Sequence, residues 1–129
     1  MLGLTAVCAN ALIRLGYGIP ALANPSRPLF GKIALAPDTD DFPPARLFVR
    51  GFASHQIGVA LVGLVSLGRP ELRRPAMALA AAIDLADVAS AAVEAEARSS
   101  LDSDLLRGMA FSSAGLVSAL VGLAAAPAR

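Results

Sequence analysis

Apolar residues run along this chain in four long stretches broken by short polar segments. The first extends from Leu2 to about Gly18, where Gly16, Gly18 and Pro20 suggest a stop. The second covers Pro44 to Leu67 and carries no formal charge between Gly51 and Gly68. The third opens at Pro70, a residue suited to the first turn of a helix, and reaches about Ala97. The fourth follows the polar cluster Ser99–Asp104 and is uncharged from Gly108 to Ala128. A membrane-crossing helix needs about 20 mainly apolar residues. The fourth stretch meets this outright, the second with one His and the third with two Asp, while the first is short. The pattern predicts an all-α, four-helix transmembrane bundle forming a single domain, with helices over about 2–18, 44–67, 70–97 and 103–126. The intervening segment 20–43 is of another kind. Pro20, Pro25, Pro28, Pro37 and Pro43 rule out a long helix there. Leu29, Phe30, Ile33, Leu35 and Phe42 argue against simple disorder. A Pro-rich cap between helices 1 and 2 is expected, as a passive ordered loop or with a short interfacial helix near Leu29–Leu35.

Composition sharpens this picture. The chain has 129 residues, 56% hydrophobic and 16% charged, with a mean hydropathy of +0.63. Soluble domains carry about 25% charged residues. A soluble globule of this length has too little interior to bury so much apolar surface, so the bilayer is the expected solvent. Net charge is +1 with no Trp and one Tyr, which excludes a strongly basic nucleic-acid binder. Cys8 is the sole cysteine, so no disulfide closes within the chain. The Ala21-Leu22-Ala23 triplet has the form of a leader cleavage site, but no basic residue precedes the apolar run and Arg14 interrupts it. A retained first membrane helix is expected.

The basic residues set an orientation. Arg69, Arg73 and Arg74 cluster at the turn between the second and third stretches, and Arg129 lies at the same end. The loop before the fourth stretch is acid-rich, with Glu94, Glu96, Asp102 and Asp104 against Arg98 and Arg107. The positive-inside bias puts both termini in the cytoplasm and the cap on the far side, the membrane being the cytoplasmic membrane of a bacterium. In the fourth stretch Gly108, Ser112, Gly115, Ala119, Gly122 and Ala126 share a face. Small-residue faces let helices approach closely, within a tight bundle or in a homo-oligomer contact.

Ionisable residues within a span cost about 2.5–3.5 kcal/mol each and usually face protein. Here they are Arg14, Arg50, His55, Asp84 and Asp87, with Asn10, Ser54, Gln56, Ser112 and Ser113 adding neutral polarity. Counting from Arg69, His55 lies 14 residues before and Asp84 15 after, so both stand about 21–23 Å from the turn. Arg50, 19 before, and Asp87, 18 after, stand about 27–29 Å away. Depth therefore matches His55 with Asp84, and Arg50 with Asp87. Ser112 falls on the His55 level, and Asn10 and Arg14 slightly nearer the cytoplasmic side. Asp84 and Asp87 share one helical face, and Asn10, Arg14 and Tyr17 share another stripe. Arg50, Gly51, Ser54 and His55 span an arc of about 140°, wide enough to line a cavity. Gln56 falls off this arc.

Helix two reads Ala45-Arg46-Leu47-Phe48-Val49-Arg50-Gly51-Phe52, followed by His55 and the run Gly58 to Gly63, and Asp84 and Asp87 follow Arg73-Arg74. In these features the chain resembles small four-helix membrane proteins of the domain-of-unknown-function 4267 type, related in layout to the DoxX-like group. The resemblance covers about Pro44 to Ala125 and, more weakly, helix one; the Pro-rich cap has no counterpart in it. It implies the fold and the membrane and says little about activity. Some DoxX-like proteins are subunits of redox complexes, but no residues here supply a redox cofactor site.

Two carboxylates three apart beside Arg and His make an acid–base set when their environments separate their proton affinities. The expected function is an integral membrane enzyme using this layer for isomerisation, cyclisation or epoxide opening of a small lipid-soluble substrate. Asp84 and Asp87 form the acid–base pair, Arg50 is their electrostatic partner and His55 a proton relay. Asn10, Arg14, Tyr17, Ser54 and Ser112 contact the substrate. No cofactor is expected. One His and an Asp pair lack a recognised metal-ligand spacing, and no phosphate loop is present. The alternative is a non-catalytic accessory subunit or oligomer whose charged layer is a packing device. Solute or proton transport is a third reading, weakened by the absence of an internal repeat.

Overall fold

The computed structural model describes residues 1–25, 43–97, 99 and 103–126, with 43–46, 48 and 104 described by backbone alone. Four helices make up the fold: α1 (Leu2–Ala23), α2 (Pro43–Leu67), α3 (Pro70–Ala97) and α4 (Ser103–Ala124). The all-α bundle read from the hydrophobic pattern is the fold. The cap, including the helix expected near Leu29–Leu35, lies outside the described residues from position 26 onward.

α1 runs past its expected stop. Gly16, Gly18 and Pro20 all lie inside the helix, which closes with the Asn24 N–H donating to the Pro20 carbonyl at 2.8 Å. Gly18 serves packing: a Cβ there would stand 2.7 Å from Ile57 Cγ1 and 3.0 Å from the Ala53 carbonyl oxygen. The missing side chain is what lets α1 and α2 approach. The turn between α2 and α3 is as tight as expected, and α3 begins at Pro70. Arg73 reaches back across it, donating from Nε to the Ser66 carbonyl at 3.2 Å and from Nη2 to that of Leu67 at 3.0 Å. An arginine thus satisfies carbonyls left open at the C-terminus of α2.

Each helix packs on its two neighbours in the ring α1–α2–α3–α4, with less contact across the diagonals. Every adjacent pair is antiparallel. Gly18 meets Ala53 and Ile57 while Val7 lies near Gly63; Gly115 meets Asp84 while Gly122 meets Met77. The interior is layered accordingly. Val7, Met77, Ala80 and Ala119 pack at one end, and Tyr17, Ala21, Val49 and Ala53 at the other. Polar side chains fill the level between them.

Size sorts inside from outside. The fully buried aliphatic side chains are mostly alanine, such as Ala53, Ala60, Ala80 and Ala119. The large ones face outward on all four helices, with Leu12 69%, Leu85 59% and Val117 61% exposed. Water would penalise so extended an apolar exterior, whereas lipid tails match it and reward small residues where helices meet. Among the described residues, three helices are long and apolar enough to cross a membrane: Leu2–Ala23, Pro70–Ala97 and Leu105–Ala124. α1, expected to be short, is among them at 22 residues. α2 is not among the three, and Arg50, His55 and Gln56 stand in its length.

The small-residue face of α4 is used within the chain. Ser112, Gly115, Ala119, Gly122 and Ala126 are buried. A Cβ on Gly122 would stand 2.8 Å from Met77 Sδ, and one on Gly115 2.6 Å from an Asp84 oxygen. From Ser112 onward this face serves the tight bundle and offers a second copy no free surface.

Candidate functional site

The polar level is organised around Arg14, which is 1% exposed at the centre of the bundle. Its Nη2 contacts Asp84 Oδ2 at 2.7 Å, an ion pair spanning the α1–α3 diagonal. The same nitrogen donates to the Ala80 carbonyl at 3.1 Å. Nε donates to Asn10 Oδ1, one turn earlier on α1, at 2.9 Å. Nη1 donates to Gln56 Oε1 on α2. Four of the five guanidinium N–H groups therefore have protein acceptors.

Asn10 extends the network to α4. Its Nδ2 donates to the Gly115 carbonyl at 3.0 Å and to Ser118 Oγ at 2.9 Å. Ser118 Oγ itself donates to the Gly115 carbonyl at 2.7 Å. Gly115 is the reason Asp84 fits, because the carboxylate occupies the space a Cβ would take. All four helices thus contribute to one connected network, centred on a charge pair whose guanidinium also donates to Asn10, Gln56 and the Ala80 carbonyl. These further bonds on the guanidinium offset part of the desolvation of the buried pair.

Asp87, one turn beyond Asp84, is held differently. Gln56 Nε2 donates to its Oδ2 at 3.4 Å, a long contact. Asp87 is only partly buried, whereas Asp84 is 2% exposed. Tyr17 of α1 and His55 of α2 lie within its electrostatic reach. The Tyr17 ring contacts Phe52 edge-on, with centroids 5.5 Å apart, and Phe111 at 5.2 Å. These three rings form one aromatic cluster, packed with Ala21, Val49 and Ala53 at that end of the bundle.

The sequence-selected residues divide accordingly. Asn10, Arg14 and Asp84 meet directly, and Asp87 joins them through Gln56. Tyr17 and Ser112 are buried at neighbouring levels. Arg50, Ser54 and His55 are exposed on the outer side of α2. Asp84 is paired with Arg14, where depth counting matched it with His55, and the charge near His55 is that of Asp87. The cause is rotation: Val49, Ala53, Gln56, Ala60 and Gly63 form the inward face of α2. His55 is one residue, about 100°, off that face. Gln56 and Ser118 are the network members that sequence reasoning missed. The small residues Ala53, Ala60 and Gly63, spaced around Gln56 at helical intervals, were the signal for the first. Among the described residues no group of three or more His, Cys, Asp and Glu is placed to hold a metal ion.

Compared with protein-family models, with curated proteins and with solved structures, the chain matches none.

Proposed function

We propose that this chain is an integral membrane protein performing acid–base chemistry on a small, lipid-soluble molecule: isomerisation, cyclisation or epoxide opening. In this reading Asp87 is the proton-exchanging carboxylate, and the Arg14–Asp84 pair is its fixed electrostatic support. The observation that carries it is a surplus. Two carboxylates share one buried guanidinium; Asp84 pairs with it at 2.7 Å, and Asp87 is held only by a 3.4 Å contact from Gln56. A register-fixing device is complete with Arg14 and Asp84. A further carboxylate in a membrane span costs about 2.5–3.5 kcal/mol and contributes nothing to such a device.

As an acid Asp87 gives its proton to an oxygen or double bond of the substrate. As a base it recovers one from the adjacent carbon, so isomerisation and cyclisation balance without another reactant. Epoxide opening adds one water. His55 is the relay between Asp87 and the outside, and the Tyr17, Phe52 and Phe111 rings form the substrate-side wall. The proposal keeps both termini in the cytoplasm of a bacterium, following the Arg69, Arg73 and Arg74 cluster. It also keeps the likeness in layout to the four-helix DoxX-like group.

A second reading rests on the completeness of the Arg14 hydrogen bonding: an accessory membrane subunit whose polar level only fixes helix register. One experiment separates the two. Dicyclohexylcarbodiimide, a lipid-soluble reagent that couples to protonated carboxyl groups in apolar surroundings, is applied to the protein in lipid nanodiscs. A panel of lipophilic epoxides and polyenes is screened alongside. Asp87 should be labelled in preference to Asp84, and Asp87→Asn should abolish turnover while the thermal midpoint stays near wild type. An unlabelled Asp87, or full activity in Asp87→Asn, refutes the acid–base reading. Destabilisation by Asp87→Asn equal to that of Asp84→Asn supports the register device.

A further inference from the structure

Gln56 is fully buried, and its two polar ends face different partners. A guanidinium offers only donors, so the amide oxygen must face Arg14 and the NH2 group must face Asp87. The orientation of the amide is fixed by chemistry. Asp87 Oδ2 is consequently held as an acceptor, and an exchangeable proton on Asp87 has one place to sit, Oδ1. We infer that Gln56 is a positioning residue for Asp87: it ties one carboxyl oxygen to the Arg14 network and reserves the other for proton transfer.

The inference rests on the acid–base reading of Asp87. When Asp87 donates, the Oδ1–H bond breaks, the electron pair stays on the carboxylate, and the Gln56 N–H continues to hold Oδ2. When it accepts, the proton returns to Oδ1 with the same contact in place. The side chain therefore needs no rotation between the two states. The other titratable groups facing Asp87 are Arg14 and Tyr17 of α1, His55 of α2 and Asp84 of its own helix. On α4, Ser112 and Gly115 at this end of the network are uncharged. Of these neighbours, Gln56 is the one that touches both the guanidinium and Asp87.

The test is the pH profile of carbodiimide labelling at Asp87, read by peptide mass spectrometry on wild type, Gln56→Glu and Gln56→Met. Gln56→Glu keeps an acceptor for Arg14 but removes the donor to Asp87 and sets a second anion beside it. Gln56→Met keeps the volume and removes both contacts, and it is the arm to read where Gln56→Glu does not fold. Labelling of Asp87 should persist at least one pH unit higher in either variant, about a tenfold gain on the upper flank of the profile. A purely structural Gln56 would lower the thermal midpoint and leave the profile where it is. Labelled wild type with an unmoved profile in the variants overturns this inference alone. Unlabelled wild-type Asp87 overturns the acid–base reading and this inference with it.

Discussion

Gly115→Ala puts the smallest possible side chain against the central ion pair. The new Cβ would stand 2.6 Å from Asp84 Oδ2, 2.9 Å from Cγ and 3.0 Å from Oδ1. Carboxylates at the ends of free side chains swing aside at little cost, but this one is 2% exposed and pinned to Arg14 at 2.7 Å. Overpacking of this kind costs about 1–3 kcal/mol. If the carboxylate is displaced far enough to leave Arg14 unpaired, the loss approaches the roughly 3–5 kcal/mol of a broken buried pair. Against this stands the helix propensity gained by replacing glycine with alanine, about 1 kcal/mol. Less that gain, overpacking alone leaves a net cost of up to about 2 kcal/mol and a broken pair about 2–4, so Gly115→Ala should destabilise the protein by about 2 kcal/mol. The sign should reverse once the obstruction is removed. In an Arg14→Met/Asp84→Ala background, which deletes both charges together, the same substitution should stabilise by up to about 1 kcal/mol. Thermal unfolding in detergent, followed by circular dichroism on the four proteins of this cycle, measures both effects. A neutral Gly115→Ala in the wild type, or an equal loss in both backgrounds, refutes the geometry.

Two further predictions concern packing and the α2 terminus. Gly18→Ala should cost up to about 2 kcal/mol net of the helix propensity gained, because Ile57 and the Ala53 carbonyl occupy its Cβ position. Gly16→Ala, with nothing within 4 Å of its Cβ position, should be neutral or stabilise by up to about 1 kcal/mol; equal effects of the two in thermal unfolding would contradict the α1–α2 contact. Arg73→Ala should destabilise by about 1–3 kcal/mol through the loss of two charge-assisted hydrogen bonds to the end of α2. Arg74→Ala, an exposed neighbour, should change the unfolding free energy by less than about 0.5 kcal/mol in the same thermal unfolding assay.

The polar level was legible in part. Arg14, Asp84 and Asp87 could be picked from the sequence because charge in an apolar helix is conspicuous wherever it points, and Asn10 because it lies one turn from Arg14 on the same stripe. Their partners were less legible. Depth counting from Arg69 placed His55 opposite Asp84, and the levels were nearly right, yet Arg14 holds that carboxylate. Gln56 was passed over because it falls off the arc through Arg50, Ser54 and His55, and it is that arc that faces outward. Gly115 read only as a packing residue and makes room for the carboxylate, while Ser118, not singled out, anchors Asn10. The stop expected at Gly18 failed for a related reason: a glycine that admits a neighbouring helix has the same letter as one that ends its own.

By itself, the sequence determined the four helices and their apolar exteriors, and it singled out the few charges within them, of which Arg14 and Asp84 are buried while Arg50 and His55 face outward. The helices and their exteriors follow from hydrogen bonding along each helix and from transfer energies, which are local properties of the chain. The tertiary structure alone decided which charges meet. Position along a helix accumulates at 1.5 Å per residue, so depth tolerates small errors. Direction around it changes by about 100° per residue. That direction is fixed only when all four helices pack together, with Gly18 against α2 and Gly115 against Asp84.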